Sequence, residues 1–164
     1  MKRSILIVFC LTVSFLANSQ SNSKLYTYKQ FGNTYVVSIQ NHSEITKAIT
    51  AFVKKLDIKA GTISGLGAVN EATLRILDPA TKKFVDKTFS EQMEITNITG
   101  NISQQNNKHY IHMHVTLGRG DYTALAGHLL TAKINGAGEF VIESFEGTVN
   151  RYSDEDTGLN LYKF

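Results

Sequence analysis

The sequence has 164 residues, with 17 Lys and Arg against 14 Asp and Glu, a formal net charge of +3 and one cysteine. Two of the basic residues, Lys2 and Arg3, fall in a segment read below as a leader; without them the balance is 15 to 14 and the mature chain is close to neutral. That balance argues against the basicity that nucleic-acid binding draws on, and a mature chain without cysteine excludes disulfide staples, thiolate metal ligands and cysteine nucleophiles.

Met1-Lys2-Arg3 is a short positive start, Ile5 to Ala17 is apolar, and polar Asn18 to Ser23 follows at once. This is the pattern of a secretory signal peptide, with Ala17 and Ser19 at the small-residue positions for a cut before Gln20. Residues 1–19 are expected to be a leader and the protein to be exported, to the periplasm or the extracellular space. An uncleaved anchor is the competing reading, but the apolar run is shorter than the roughly 20 residues of a membrane span, so no stable span is expected after cleavage. Cys10 lies inside the leader, and no lipoprotein-type Cys follows the apolar run. The remaining chain has the usual size of one domain, placed at residues 24–164.

Along that domain, Tyr35-Val36-Val37-Ser38-Ile39 reads as a strand. Asn41 and Ser43 offer N-capping groups, and Ile45, Ala48, Ile49, Phe52, Val53 and Leu56 recur at helical spacing, which predicts a helix from Ser43 to Leu56. From Gly61 the period changes to two. Thr62 to Val69 and Glu71 to Leu77 read as consecutive strands, Asp78 to Lys83 as a turn around Pro79. Further strands are expected at Phe84–Phe89, Met93–Gln104, Tyr110–Leu117, His128–Ile134 and Glu139–Val149. One helix among many successive strands predicts an α+β fold with a mostly antiparallel sheet and one main helix packed against it.

Between Tyr110 and Leu117 the two faces of the strand separate cleanly. Ile111, Met113, Val115 and Leu117 fall on one face; Tyr110, His112, His114 and Thr116 fall on the other. His112 and His114 then project from one side with Cα atoms roughly 6.5–7 Å apart, close enough for two imidazoles to converge on one ion. Two hydrogen-bonded histidines on a polar face would give the same pattern. A third histidine, His128, follows a glycine-rich turn at Gly118-Arg119-Gly120-Asp121, and a return strand would bring it beside the first pair. Three histidines with a fourth position left for water form the ligand set of catalytic zinc. His109 falls on the opposite face by parity and reads as a surface or edge histidine, and His42 as a loop residue. Lys108, Arg119 and Asp121 read as turn or solvent chemistry. Gly65-Leu66-Gly67 lacks the third glycine and the following helix of a dinucleotide loop, so it reads as a bend or a close backbone approach. The sequons at Asn41, Asn97 and Asn101 are short enough to arise by chance.

Ser64-Gly65-Leu66-Gly67-Ala68-Val69 and the run from Glu94 to Ile102 resemble two signature strands of the plant and prokaryote conserved (PPC) domain family. His112-Met113-His114-Val115 and Gly127-His128-Leu129 resemble its bacterial histidine motifs, and Tyr152 to Leu159 its usual tail. The resemblance implies an α+β domain that assembles as a homotrimer and, at His112, His114 and His128, a bound metal. The fold of that family is also similar to that of acetolactate decarboxylase, a zinc enzyme using three histidines. In plants the domain accompanies an AT-hook with an Arg-Gly-Arg-Pro-type core, which is missing here: the one proline, Pro79, stands between Asp78 and Ala80.

The expected function is therefore an exported protein binding a divalent metal, zinc by preference, through three histidines, as an enzyme or binder of an unidentified small molecule. Glu94, in a signature strand, is the candidate general base or carboxylate partner. DNA binding or another regulatory interaction is the alternative; the leader and the near-neutral charge make nucleic acid an unfavoured partner. A trimeric scaffold tied together by a structural metal is the third reading.

Overall fold

A computed structural model describes residues 21–164; the leader expected over residues 1–19 lies outside the described residues. In chain order the elements are β1 (Ser21–Asn22), β2 (Tyr26–Phe31), β3 (Thr34–Ile39), α1 (Ile45–Lys55), β4 (Gly61–Asp78), β5 (Lys83–Phe89), β6 (Met93–Gln105), β7 (Lys108–Gly118), β8 (Ala124–Ser144), β9 (Asn150–Ser153) and β10 (Asn160–Lys163). The result is mostly sheet with one short helix, and the sheet is mixed but mostly antiparallel: β9 runs parallel to β6, and the other strand pairs are antiparallel.

Pairing does more than stack strands side by side. β4 is hydrogen-bonded to β6 and to β8, and β7 is hydrogen-bonded to the same two strands. β4, β6, β7 and β8 thus close a circuit. This is possible because β4 and β8 are long and bent, with register shifts where they meet at Gly67/Val69, Val69/Glu71 and Thr73/Leu74. Bulges of this kind add twist and let one strand serve two neighbours. Gly67 marks one such place: a Cβ there would stand 2.3 Å from the Ala137 carbonyl oxygen, so only glycine lets β4 and β8 approach. The Gly65-Leu66-Gly67 segment is accordingly a close approach of two backbones, as expected.

The helix packs its apolar face against the sheet. Ile45, Ala48, Ile49, Phe52 and Val53 form its buried stripe. Phe52 is ringed by Tyr26, Tyr28 and Tyr35, with edge-on centroid distances of 5.5, 5.2 and 5.4 Å. Such contacts add about 0.5–1.5 kcal/mol per pair beyond the area they bury. Ile63, Val69, Ile98, Leu117, Ile134 and Ile142 continue the core along the strands.

Several expectations are refined. The helix begins at Ile45 rather than Ser43, because the cap is neither Asn41 nor Ser43 but Glu44. Its carboxylate accepts from the amides of Thr46 and Lys47 at 2.8 and 2.6 Å, and also from the Ala132 amide of β8 at 3.2 Å. The two strands expected over 62–69 and 71–77 are one bent strand, and so are those over 128–134 and 139–149. The latter ends at Ser144, five residues short of Val149. The turn around Pro79 stands as expected, between β4 and β5. Strands β1, β2, β9 and β10 are additions.

Because Glu44 caps the helix and ties it to β8, Glu44→Ala should cost about 1 kcal/mol, within the roughly 0.5–2 kcal/mol seen for lost caps. Urea unfolding followed by circular dichroism reads this as a lower midpoint with an unchanged slope. An unchanged midpoint would show that the carboxylate does not carry the helix start.

Candidate metal centre

Strand β7 alternates as its sequence requires: Met113, Val115 and Leu117 are buried, while His112 and His114 lie on the other face. β8 returns antiparallel to β7 with His114 directly opposite His128. Directly opposed residues project from the same face, with Cβ atoms about 4.5–5.5 Å apart. The hairpin therefore turns a His-x-His pair into a three-histidine cluster. Gly100 helps on the far side of β7. A Cβ there would meet the His112 carbonyl oxygen at 2.6 Å, so glycine allows β6 to lie close against the histidine strand.

Each of the three imidazoles has one nitrogen within 4.8 Å of the corresponding nitrogens of the other two. The Nε2 atoms of His112 and His114 are 3.2 Å apart. Two nitrogens that each lie about 2.0–2.1 Å from one tetrahedral ion are roughly 3.3 Å apart, so this pair is already at ligand spacing. Ring centroids are separated by 5.0 Å for His112–His114, 4.9 Å for His112–His128 and 5.5 Å for His114–His128. Among the described residues this is the group of three or more His, Cys, Asp or Glu side chains placed to hold an ion.

The electrostatics suit a cation ligand set. Burial lowers the pKa of His112 from 6.5 to about 4, and His128, His114 and Arg151 reinforce the shift by adding positive charge nearby. Burial also lowers that of His128, helped by His114 and Arg75 and opposed by Asp86. Both rings are thus neutral near pH 7, with a lone pair free for a metal. The donor set fits a divalent ion of the zinc class.

The cluster lies in the wall of a cleft of about 860 Å³. A row of directly opposed residues crosses the sheet here: Thr99 on β6, His114 on β7, His128 on β8, Arg75 on β4 and Asp86 on β5. Arg75 and Asp86 form a two-point ion pair at 2.6 and 2.8 Å, and the guanidinium holds the Asp86 carboxyl below its usual range. The β9–β10 hairpin also lines the cleft, with Arg151, Asn160 and Tyr162. A second groove, of about 740 Å³, lies elsewhere, over Val36, Leu66 and Val141.

The other residues singled out in the sequence are not brought to the cluster. Glu94 is exposed and pairs with Gly118, four residues along β7 from His114, or about 13 Å at 3.3 Å per residue. His109 projects from the opposite face of β7, as its parity requires. It is not a surface residue, however: its side chain is 15% exposed and its Nε2 lies 3.3 Å from Asp57 Oδ1. His42 is an exposed loop residue. Arg119 pairs with Glu91, and Asp121 accepts from the Thr123 amide and hydroxyl within the turn. The sequence reading missed Arg151, Asn101 and Tyr110 as cleft residues. For Tyr110 and Asn101 a signal existed: Tyr110 shares a face with His112 by parity, and Asn101 is opposite His112 in the β6–β7 hairpin.

The Plants and Prokaryotes Conserved (PCC) domain matches residues 26–146, so the tail at 152–159 lies beyond the match. None of the curated proteins compared with the chain matches it. Among solved structures, a candidate DNA-binding protein from Bacteroides thetaiotaomicron is 55% identical, with a TM-score of 0.85 over 86% of this chain and 99% of its own. A metal-containing protein from Archaeoglobus fulgidus is 30% identical, with a TM-score of 0.75 over 87% of this chain and 100% of its own. A plant- and prokaryote-conserved protein from Pyrococcus horikoshii, at 22% identity and a TM-score of 0.74 over 88% of this chain and 98% of its own, shares the fold. With the domain matched over most of the described chain, this protein belongs to the Plants and Prokaryotes Conserved (PCC) domain family.

Proposed function

We propose that this protein binds a divalent metal ion, zinc by preference, through His112, His114 and His128, and uses it to bind or transform a small molecule in the adjoining cleft. One observation carries the reading: three imidazoles, with no carboxylate among them, converge at the wall of a cleft large enough for a ligand. Three protein ligands leave a coordination position free, which is the arrangement of catalytic rather than structural zinc. A bound ion supplies Lewis acidity towards a carbonyl or a bound water. The chain's own part is to keep His112 and His128 neutral, hold His112 and His114 at ligand spacing and wall the cleft. The description of the Archaeoglobus relative as metal-containing supports this reading. In this proposal the leader takes the protein out of the cytoplasm.

The description of the Bacteroides relative favours DNA binding as the competing reading. That reading requires a basic surface and affinity that falls steeply with salt, and the near-balanced mature charge supplies little for it. A homotrimer, which the family resemblance implies, is part of our proposal. The exposed Val36 and Val141, directly opposed on β3 and β8, with Leu66 nearby on β4, offer an apolar face for self-association. Light scattering on the purified protein should give three times the chain mass; a monomer at micromolar concentration would remove this part of the proposal.

Metal content of the purified protein, measured by plasma mass spectrometry, should be about one ion per chain, the stoichiometry of a single three-histidine site. It should be lost in His112→Ala/His114→Ala with circular dichroism unchanged. A chain that takes up no zinc, iron or manganese when these are supplied sinks the metal reading.

Acidity gives a second check. His112 has a folded pKa of about 4 against 6.5 for the free ring, so between these values the unfolded chain binds more protons than the folded one. Stability of the metal-free protein is therefore full above about pH 6.5 and declines as pH falls towards about 4. Bound metal should be lost over the same descent, because the ligands must be deprotonated. Thermal melts from about pH 8 to 4 should show a shallower decline in His112→Ala than in the parent. Parallel curves would mean that the buried imidazole does not couple to folding.

A further inference from the structure

The cleft contains a positive charge that the metal reading leaves without a task. Arg151, on β9, donates from Nε to Ser103 Oγ at 2.7 Å, from Nη1 to the Asn160 carbonyl at 2.6 Å and from Nη2 to Asn101 Oδ1 at 2.7 Å. Its guanidinium carbon lies 4.7 Å from the ring centre of Tyr110 and 4.3 Å from that of Tyr162. Ser103 is fully buried. All three acceptors are neutral, and among the described residues no carboxylate pairs with Arg151. The cleft's other arginine, Arg75, is matched by Asp86, and Arg119 in the distant turn is matched by Glu91. Arg151 is the exception among these three.

Three of its five N–H donors are used, which leaves one on each terminal nitrogen. A guanidinium partly withdrawn from water, between rings and neutral acceptors, gains most from a planar anion that takes two donors at once. Its place is also specific. Asn101, which receives Nη2, stands directly opposite His112, so the charge is fixed one strand away from the first histidine. An ion held by three neutral imidazoles would carry its full double charge beside it. The cleft then has two cationic points, with no anion among its lining residues to offset them.

We propose that Arg151 is the anion subsite of this cleft and receives the carboxylate of a small organic acid, whose hydroxyl or carbonyl oxygen reaches the ion at the three histidines. The inference rests on the metal reading and names the ligand class for that site. A planar carboxylate, with two oxygens side by side, matches the two remaining donors.

The test is calorimetric titration of the zinc-loaded protein with lactate and with methyl lactate, its uncharged ester. Lactate should bind at least tenfold more tightly. Arg151→Met should abolish that preference while zinc stays at about one ion per chain, and Arg151→Lys should keep part of it. Equal affinity for acid and ester overturns the proposal, as does a preference that survives Arg151→Met, or inorganic phosphate binding more tightly than lactate. Because Arg151→Met also removes the hairpin's anchor, the parent protein supplies an independent readout: the Arg151 Nε–H resonance should move with lactate and stay put with methyl lactate. If the protein holds no zinc, the metal reading fails by itself. The same resonance followed in metal-free protein then decides the subsite: movement with lactate upholds it, and no movement with either compound overturns it.

Discussion

The register between β7 and β8 sets His114 opposite His128, and the candidate site depends on that pairing. It is held by the core rather than by the histidines. Met113, Val115 and Leu117 of β7 and Leu129 of β8 are buried on the reverse face. A slip of one residue would turn every side chain of one strand over, burying an imidazole and exposing a leucine or valine. Each aliphatic side chain so exposed costs on the order of 1.5–3 kcal/mol, so the apolar stripe enforces the polar cluster behind it. The closed circuit of β4, β6, β7 and β8 adds a second constraint, since β7 cannot shift against β8 without also shifting against β6.

A neutral His112 beside an arginine presents an electrostatic tension that narrows what the cleft can hold. The environment that keeps His112 deprotonated, through burial first and neighbouring positive charge second, makes the site available to a metal. The same Arg151 charge would oppose the cation it makes room for. In a medium less polar than water that repulsion is appreciable at short range. An anion lying between the two cationic points relieves both. The unmatched arginine is thus best understood together with the histidines rather than as a separate feature, and the three neutral hydrogen-bond acceptors explain how it stays in position without a counter-ion.

Much of this was legible in the sequence where one periodicity ruled. The alternation from Tyr110 to Leu117 is clean because one face packs on the core and the other lines the cleft, and it places His112 and His114 correctly. The stripe from Ile45 to Leu56 is equally plain for the helix. Legibility failed where a strand changes role along its length. β4 and β8 each bend, so their alternation breaks, at Asn70 in β4 and across Gly136 and Gly138 in β8, and each reads as two strands. Tyr26 to Phe31 mixes aromatic and polar residues on both faces, and the hairpin from Asn150 to Lys163 is short and mostly exposed, so neither shows a stripe. The cap was misplaced for another reason: Asn41, Ser43 and Glu44 all carry capping oxygens, and only the tertiary contact to Ala132 selects Glu44. Arg151 could not be found at all from local pattern, since its partners Ser103 and Asn101 lie about fifty residues away.

The division between the matched domain and its tail bears on how the family can vary. Residues 26–146 contain all three histidines and the circuit that holds them, while Arg151, Asn160 and Tyr162 come afterwards. The hairpin is tied to the rest by a parallel pairing with β6, by the arginine's bonds to β6, and by the Lys82 amine donating to the Asp156 carbonyl. The backbone pairing itself is short, two residue pairs at the end of β6, Gln104 with Asn150 and Gln105 with Arg151. A fold of this kind can keep one ligand set while the segment laid across it changes what enters the cleft. That is how chains sharing a scaffold come to differ in function. For this chain the segment contributes an anchored positive charge, and in the proposed reading the class of ligand depends on the last fifteen residues as well as on the histidines.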